Sequence, residues 1–440
     1  MAPAVGITVD ADAIHPALFP FQRACTQWAL RKGRCALFEG TGMGKTIQEL
    51  VWSSHIGKRV LNIAPLGVAR QTVREGERWG IPVVYARSMS ESPSEGITIT
   101  NYEMVTHFDP DQFDAVCLDE SSILKAVDGK TRGLLIDMFN QTPYRLCATA
   151  TPAPNDIAEL ANHAEFLGVM TRTEMLASFF VHDDVGWRLK RPATEAFYRW
   201  LASWAMSLNK PSDLGFDDDG YDLPALTVRP VVVDCDYRPE GKLFAVGLDG
   251  ITERASVRRQ TVDERVRAAT ELIRADDQPW IAWCGRNDEG TKLHQLIMDS
   301  VLIEGRQLPD EKATGVERFI DGKYRVLVSK TSMTGFGLNL QNCARQVFVG
   351  ISDSWESYYQ AIRRSWRFGQ TRPVDVYVVI SEPEQVIFEN ILRKEREARA
   401  MADELIRYVS IYEQEEIRQG KRVAYEPTTR MEVPDWLKSA

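Results

Sequence analysis

The residues Glu39-Gly40-Thr41-Gly42-Met43-Gly44-Lys45-Thr46 constrain this chain more than any other stretch. They follow a short apolar run, Cys35–Phe38, and precede a stretch of helical period, so they turn a strand into a helix. Small residues let successive backbone N–H groups converge on an anion at a helix N-terminus, where the peptide dipoles already favour negative charge. Lys45 would sit as a point charge on β- and γ-phosphates, and the Thr46 hydroxyl would take one position on Mg²⁺. Such a loop needs a strand beneath it and a helix behind it, which commits this part of the chain to parallel α/β structure. The strict phosphate-loop pattern has Gly where this chain has Glu39.

Short β-branched runs alternate with helix-period stretches over most of the sequence. The strand candidates of the first half are Cys35–Phe38, Val60–Ile63, Ile97–Thr100, Ala115–Leu118 and Tyr144–Ala148; those of the second are Trp280–Cys284, Arg325–Ser329, Gln346–Val349 and Val374–Ile380. Two such sets predict two doubly wound parallel-sheet lobes, over 1–165 and 226–385. A helical insert is expected at 166–225 and a helical tail at 386–440. Phe179, Phe180, Trp187, Phe197, Trp200 and Trp204 recur at helical spacing around the insert. They read first as helix-packing core, with a base-stacking platform as the alternative.

The run Ala115-Val116-Cys117-Leu118-Asp119-Glu120 ends an apolar strand in two acids. With a phosphate loop upstream, Asp119 can hold Mg²⁺ through its water shell while Glu120 orients and deprotonates an attacking water. The expected cofactors are therefore ATP and Mg²⁺. The loop residues Gly40 to Thr46 bind the nucleotide, and Thr46 and Asp119 serve the metal.

Composition sets limits on partners. The chain has 440 residues, 44% apolar and 26% charged, with a formal net charge of −9, so any nucleic-acid contact has to come from local basic patches. Cys25, Cys35, Cys117, Cys147, Cys235, Cys284 and Cys343 lie far apart with no CxxC pair, which reads as reduced thiols in a cytoplasmic protein rather than zinc ligands. Neither a leader-like N-terminus nor a membrane-length apolar stretch is expected.

Beyond the phosphate loop and the acid pair, the chain resembles superfamily 2 helicases, and the likeness continues in order to about residue 380. Phe19-Pro20-Phe21-Gln22 is similar to an adenine-reading Q motif, with Gln22 on the base edge. Val60 through Gln71 is similar to motif Ia, Ile99-Thr100-Asn101-Tyr102-Glu103 to motif Ib, and Ala148-Thr149-Ala150-Thr151-Pro152 to the coupling motif III. Asp119-Glu120-Ser121-Ser122 stands where the family has DEAH-like motif II, followed by Lys125; Ser122 replaces the usual His. Ser329-Lys330-Thr331 through Gly335-Phe336-Gly337-Leu338-Asn339-Leu340 is similar to motif V of the SWI/SNF branch. Gln360 through Thr371 resembles motif VI, and its Gly369-Gln370-Thr371-Arg372-Pro373 ending is the most SWI/SNF-like feature. The short insert and Lys210-Pro211-Ser212-Asp213-Leu214-Gly215 look like compact bacteriophage relatives, which would place the protein in a host cytoplasm.

The resemblance implies two RecA-like lobes with ATP between them, and Gly337 among the nucleotide contacts. Gln360, Arg364 and Arg367 recur at spacings of four and three, so a helix would present them on one face as arginine fingers; the bland alternative is a basic surface helix. Nucleic-acid contacts are expected from Arg70, Asn101, Lys125, Lys130, Arg132, Arg286, Asn287, Lys330 and Thr331. The cluster Arg254, Arg258, Arg259, Arg265 and Arg267 would either track phosphates or form a solvated helix. The implied activity is ATP-driven movement along double-stranded DNA. A strand-separating DNA or RNA helicase and a non-catalytic ATP-dependent clamp remain as alternatives, with replication or recombination proteins as conceivable partners.

Overall fold

The computed structural model describes residues 6–125, 129–154, 156–183, 186–235, 251–331, 339–352 and 354–419. It divides into two units: residues up to Asp219 with those from Glu397 on, and Gly220–Arg396.

The first unit contains β1 (Arg34–Glu39), β2 (Arg59–Ala64), β3 (Val83–Tyr85), β4 (Gly96–Asn101), β5 (Ala115–Asp119), β6 (Tyr144–Ala148), β7 (Phe180–Asp183), β8 (Gly186–Leu189) and β9 (Ala205–Leu208). Its helices are α1 (Pro20–Lys32), α2 (Lys45–Ile56), α3 (Leu66–Trp79), α4 (Lys130–Met138), α5 (Leu160–Leu167), α6 (Arg172–Phe179) and α7 (Thr194–Ala202). Seven strands form one parallel sheet in the order β3-β4-β2-β5-β6-β1-β9. Residues 60–64 of β2 and all of β5 are buried, as strands covered by helices on both faces must be, which is why, apart from Asn62 and the terminal Asp119, they read as apolar runs rather than alternating ones. Because the sheet is parallel, β1, β2, β4, β5 and β6 all deliver their C-terminal loops to one edge. Open α/β sheets bind ligands along that edge.

The second unit contains β10 (Leu226–Val233), α8 (Ile251–Gln260), α9 (Val262–Arg274), β11 (Trp280–Cys284), α10 (Asn287–Leu296), β12 (Ser300–Ile303), α11 (Pro309–Ile320), β13 (Val326–Lys330), β14 (Arg345–Val349), α12 (Trp355–Ile362), β15 (Val374–Ser381) and the start of α13 (Gln385–Gln419). Its parallel sheet has the order β10-β15-β14-β11-β13-β12. Two parallel-sheet α/β lobes are thus the architecture, and the predicted strands lie within these elements, save that Arg325 falls just before β13.

The insert expected to be helical and separate differs in the structure. Residues 166–219 group with the first unit, β7 and β8 form an antiparallel hairpin, and β9 pairs with β1 as the edge of the main sheet. The cause is the aromatic set: Phe179, Phe180, Phe197, Trp200 and Trp204 are all 3% exposed or less and share one core with Phe38 and Phe166. Burying each such ring is worth about 1.5–3 kcal/mol. The base-stacking alternative therefore does not apply to these five. The tail contributes too: Tyr408 of α13 stacks on Tyr198 with ring centroids 4.8 Å apart, and the Tyr198 hydroxyl donates to Glu404 at 2.9 Å. All seven cysteines are free, and no described helix is long and apolar enough to cross a membrane.

Candidate functional site

In the first unit the loop after β1 turns at Gly42 and Gly44, with φ of 96° and 81°. Both lie in the left-handed region that glycine adopts freely. Gly44 is also the N-cap of α2, so Lys45 and Thr46 open that helix. The Gly40 N–H donates to Leu208 of β9 at 2.8 Å, and the Lys45 ammonium folds over the loop's own carbonyls, donating to Glu39 at 2.9 Å and Gly40 at 3.3 Å. These carbonyls hold the charge of Lys45 at the centre of the loop.

Glu39, the departure from the strict pattern, is wholly buried beneath the loop. Gln48 of α2 donates to its carboxylate at 2.8 Å. Burial pushes the Glu39 carboxyl up to about 7, against the opposing pull of Lys45. Gln22, expected on a base edge, is 4% exposed and spent on the protein. Its oxygen accepts from the Phe19 N–H at 2.9 Å, and its amide donates to the Met43 carbonyl at 2.8 Å. It braces the loop from α1.

β5 ends in Asp119, 7% exposed, and Glu120. The Glu120 N–H donates to the Asp119 carboxylate at 2.8 Å, and the Tyr102 hydroxyl donates to the Asp119 carbonyl at 2.7 Å. Glu120 has φ of 53°, alone among the described non-glycine residues in being positive. Such a conformation costs about 1–3 kcal/mol and persists only where neighbours hold it. Burial and then the Glu120 charge raise the Asp119 carboxyl, while Lys45 pulls it back.

Sequence reading missed Glu49. It is 2% exposed on α2, one carboxylate oxygen has no hydrogen-bond partner, and burial and Asp119 hold it well above the usual carboxylate range. The available signal is an acid flanked by Ile47, Leu50, Val51 and Trp52, with Gln48 the other polar residue of the run. Asp119, Glu120, Glu39 and Glu49 around Lys45 leave this region short of positive charge, which a divalent cation would supply. The glycine turns and the α2 N-terminus meanwhile suit a phosphate chain. The residues present fit a metal–nucleotide.

Several expected strand contacts are corrected. Asn101 is 4% exposed and fully engaged, accepting from the Tyr85 hydroxyl at 2.9 Å and donating to Glu103 at 2.5 Å. It holds the end of β4 rather than facing outward. Arg132 is tied to Asn162 at 3.2 Å and Glu165 at 3.8 Å. Arg70 lies exposed on α3, Lys130 opens α4, and Lys125 ends the 3-10 turn Ser121–Lys125.

In the second unit Arg286 forks onto Asp288, its closest contact 2.7 Å. Asn287 is exposed at the start of α10, Lys330 ends β13, and Thr331 follows it, both half-buried. Arg265 is not a phosphate tracker. It is wholly buried, bound to Glu289 at 2.7 Å and Glu384 at 3.6 Å, with the Val349 carbonyl at 3.3 Å. Glu289 in turn accepts the N–H groups of Gly285 and Arg286 at 2.9 and 3.0 Å, so this ion pair fixes the loop that carries Arg286. Arg259 and Arg267 are exposed, and the Arg258 guanidinium donates to the Ile351 carbonyl at 3.5 Å. The side chain of Arg254 and the whole of Gly337 lie outside the described residues.

The expected single helical face for Gln360, Arg364 and Arg367 does not form. α12 stops at Ile362, leaving only Gln360 on it. Gln346 of β14 caps the Ile362 carbonyl at 3.1 Å and also bonds Ser365. The Arg364 carbonyl is taken by the Leu340 N–H at 2.9 Å. Arg364 and Arg367 therefore sit in turns knitted by Gln370, whose amide donates to Gln341, Cys343 and Ser365 carbonyls at 3.1–3.2 Å. The Trp366 indole donates to Pro224 at 2.7 Å.

A phosphate loop and an acid pair on one edge of a parallel sheet define a nucleoside-triphosphate-binding α/β class. Residues 265–369 match the family described as helicase conserved C-terminal domain. Mouse "DNA annealing helicase and endonuclease ZRANB3" is 26% identical over 176 residues, 36% of this chain and 16% of that protein. The Xenopus tropicalis SWI/SNF-related matrix-associated actin-dependent regulator of chromatin subfamily A-like protein 1 is 26% identical over 171 residues, 36% and 18% respectively. The aligned regions thus span under a fifth of these relatives' length. Among solved structures, the Sulfolobus solfataricus SWI2/SNF2 ATPase core in complex with dsDNA gives a TM-score of 0.44 at 17% identity, covering 95% of this chain and all of that one. The Pyrococcus furiosus Hef helicase domain gives 0.48 at 13%, covering 87% and all of that chain. With its ordered motifs, the chain is similar to SWI/SNF-like proteins of helicase superfamily 2.

Proposed function

We propose that this protein is a nucleic-acid-dependent ATPase that converts hydrolysis into movement along double-stranded DNA. The observation that carries the reading is Glu120, held in a left-handed conformation beside buried Asp119 on the same sheet edge as the Lys45 loop. Lys45 and the N–H groups of Thr41, Gly42 and Gly44 would bind the triphosphate, and Thr46 and Asp119 would hold Mg²⁺. That ion, once held by Thr46 and Asp119, would supply the charge that offsets the phosphate oxygens. Glu120 orients a water and accepts its proton. Arg364 and Arg367 supply charge to the transferring phosphoryl group. Their place outside a helix leaves that role to the turns around Gln370. Gln360 belongs to the same set.

Arg70, Lys125, Asn287, Lys330 and Thr331 are the proposed strand contacts, acting on phosphates without reading sequence. The mouse relative's description as a DNA annealing helicase supports DNA over RNA. Phosphate release measured with and without double-stranded DNA tests the reading. Turnover should be low alone and rise with DNA, with a salt dependence steepened by about 0.9 log unit per phosphate contact. Lys45→Ala should abolish it, and Glu120→Gln should bind ATP without turning it over. Stimulation by single-stranded RNA alone would overturn the DNA assignment. A triplex-displacement assay beside a strand-displacement assay separates translocation from unwinding.

A further inference from the structure

The 3-10 turn Ser121–Lys125 joins the proposed base, Glu120, to the proposed strand contact, Lys125, over a span of only five residues. It is gripped by one pair of neighbours on α5. His163 Nε2 lies 3.2 Å from the Ser121 hydroxyl, a hydrogen bond either partner can donate. The Asn162 amide donates to the Leu124 carbonyl at 2.8 Å and the Lys125 carbonyl at 3.3 Å. Asn162, His163, Ser121 and Leu124 are all wholly buried.

Both side chains are themselves held. The Asn162 oxygen accepts from Arg132 at 3.2 Å and from Arg172 at 3.4 Å. That fixes which end of the amide faces the turn. The His163 ring meets Phe38 edge-on at 5.2 Å, next to the residue that begins the phosphate loop. Burial drives the His163 ring down to about 4, so it stays neutral at working pH and acts as a fixed hydrogen-bonding group.

The grip has a mechanical consequence. The left-handed Glu120 is anchored on one side by Tyr102 on the Asp119 carbonyl and on the other by His163 on Ser121. Releasing the second anchor lets Glu120 relax. Releasing Asn162 frees the far end of the same turn.

We propose that Asn162 and His163 are positioning residues that splint the turn Ser121–Lys125, so that nucleic-acid contact at Lys125 is conveyed to Glu120. The splint rests on the proposed function for its coupling role, but its rigidity can be measured without it. The experiment uses the full chain with Asn162→Asp, His163→Ala and His163→Gln. Asn162→Asp keeps the oxygen for Arg132 and Arg172 but removes the donor to the two carbonyls. His163→Gln can restore the bond to Ser121.

Each variant is assayed for the KM for ATP, for DNA-stimulated kcat, and for hydrogen exchange of the amides of residues 120–125. Asn162→Asp and His163→Ala should lower stimulated kcat ~10–100-fold, as small displacements of reacting groups do, with KM little changed. Exchange in the turn should rise in both, and His163→Gln should recover both readouts. Stimulated kcat close to the parent's, or unchanged exchange in the turn, overturns the splint. So does a lowered melting temperature with kcat intact. If the parent shows no DNA stimulation, the proposed function fails in the parent alone, and the exchange arm still decides the splint.

Discussion

The side-chain amide of Gln22 donates to the carbonyl of Met43 at 2.8 Å, so α1 braces the phosphate loop from beneath. A Cβ placed on Gly44 would lie 2.2 Å from that same amide nitrogen, which explains why the loop needs glycine there beyond its backbone angle. Gln22→Ala should therefore loosen the loop. Losing a buried hydrogen bond costs about 1–3 kcal/mol, or roughly 5–150-fold in ATP affinity. Nucleotide titration checks this: an affinity equal to the parent's would show that the brace does not matter to binding.

Glu39 should make the protein less stable as pH rises. Below the ordinary carboxylate range it is protonated whether folded or not, and stability is intact. As pH climbs through about 7, the folded carboxyl must ionise in a buried place where the unfolded one already has. The loss is on the order of 3 kcal/mol by linkage. Denaturant melts between pH 5 and 8 should fall in the parent and flatten in Glu39→Gln. Asp119 and Glu49 are raised by burial too and leave a residual slope. Equal slopes in parent and Glu39→Gln would assign the effect elsewhere.

Arg367→Ala should keep the fold and ATP affinity while removing ~10³–10⁵ of stimulated turnover, the usual effect of losing a transition-state arginine. Arg393, near the start of α13 and about 3.1 Å from the Asn390 side-chain oxygen, is the matched control. Its loss should change stability by at most about 1 kcal/mol. Turnover within a few-fold of the parent in both variants, which is far below that range, would remove Arg367 from the site.

Arg265→Ala leaves Glu289 and Glu384 buried without their shared cation. Breaking a buried pair in this way costs about 3–5 kcal/mol, and chemical denaturation should read that loss directly. A variant as stable as the parent would mean that water reaches the two acids.

Much of this could be read from the sequence because parallel sheets write themselves plainly. Val60 to Ala64 and Ala115 to Leu118 are buried on both faces and so are apolar but for Asn62, whose buried side chain accepts from the Ser53 hydroxyl. The phosphate loop and the Asp119–Glu120 pair are local, and their spacing survives into three dimensions. What failed was non-local. The Gln360–Arg364–Arg367 spacing is helical, yet Gln346, fourteen residues before the nearest of them, ends the helix by capping Ile362. Arg265 sits in a basic run, and only its distant partners Glu289 and Glu384 show that it is buried. β9 was hidden because Ala205-Met206-Ser207-Leu208 is too short and weakly patterned to declare a strand without β1 beside it.

The left-handed backbone of Glu120 bears on how such a protein can be improved. The residue proposed to activate water is also a place where the fold is under tension, so the two demands pull substitution in opposite directions. Glu120→Gly would release the backbone and delete the base together. It should melt higher than Glu120→Gln while both remain inactive. A search for heat-resistant variants that ignored turnover would therefore be drawn toward the position the chemistry can least give up.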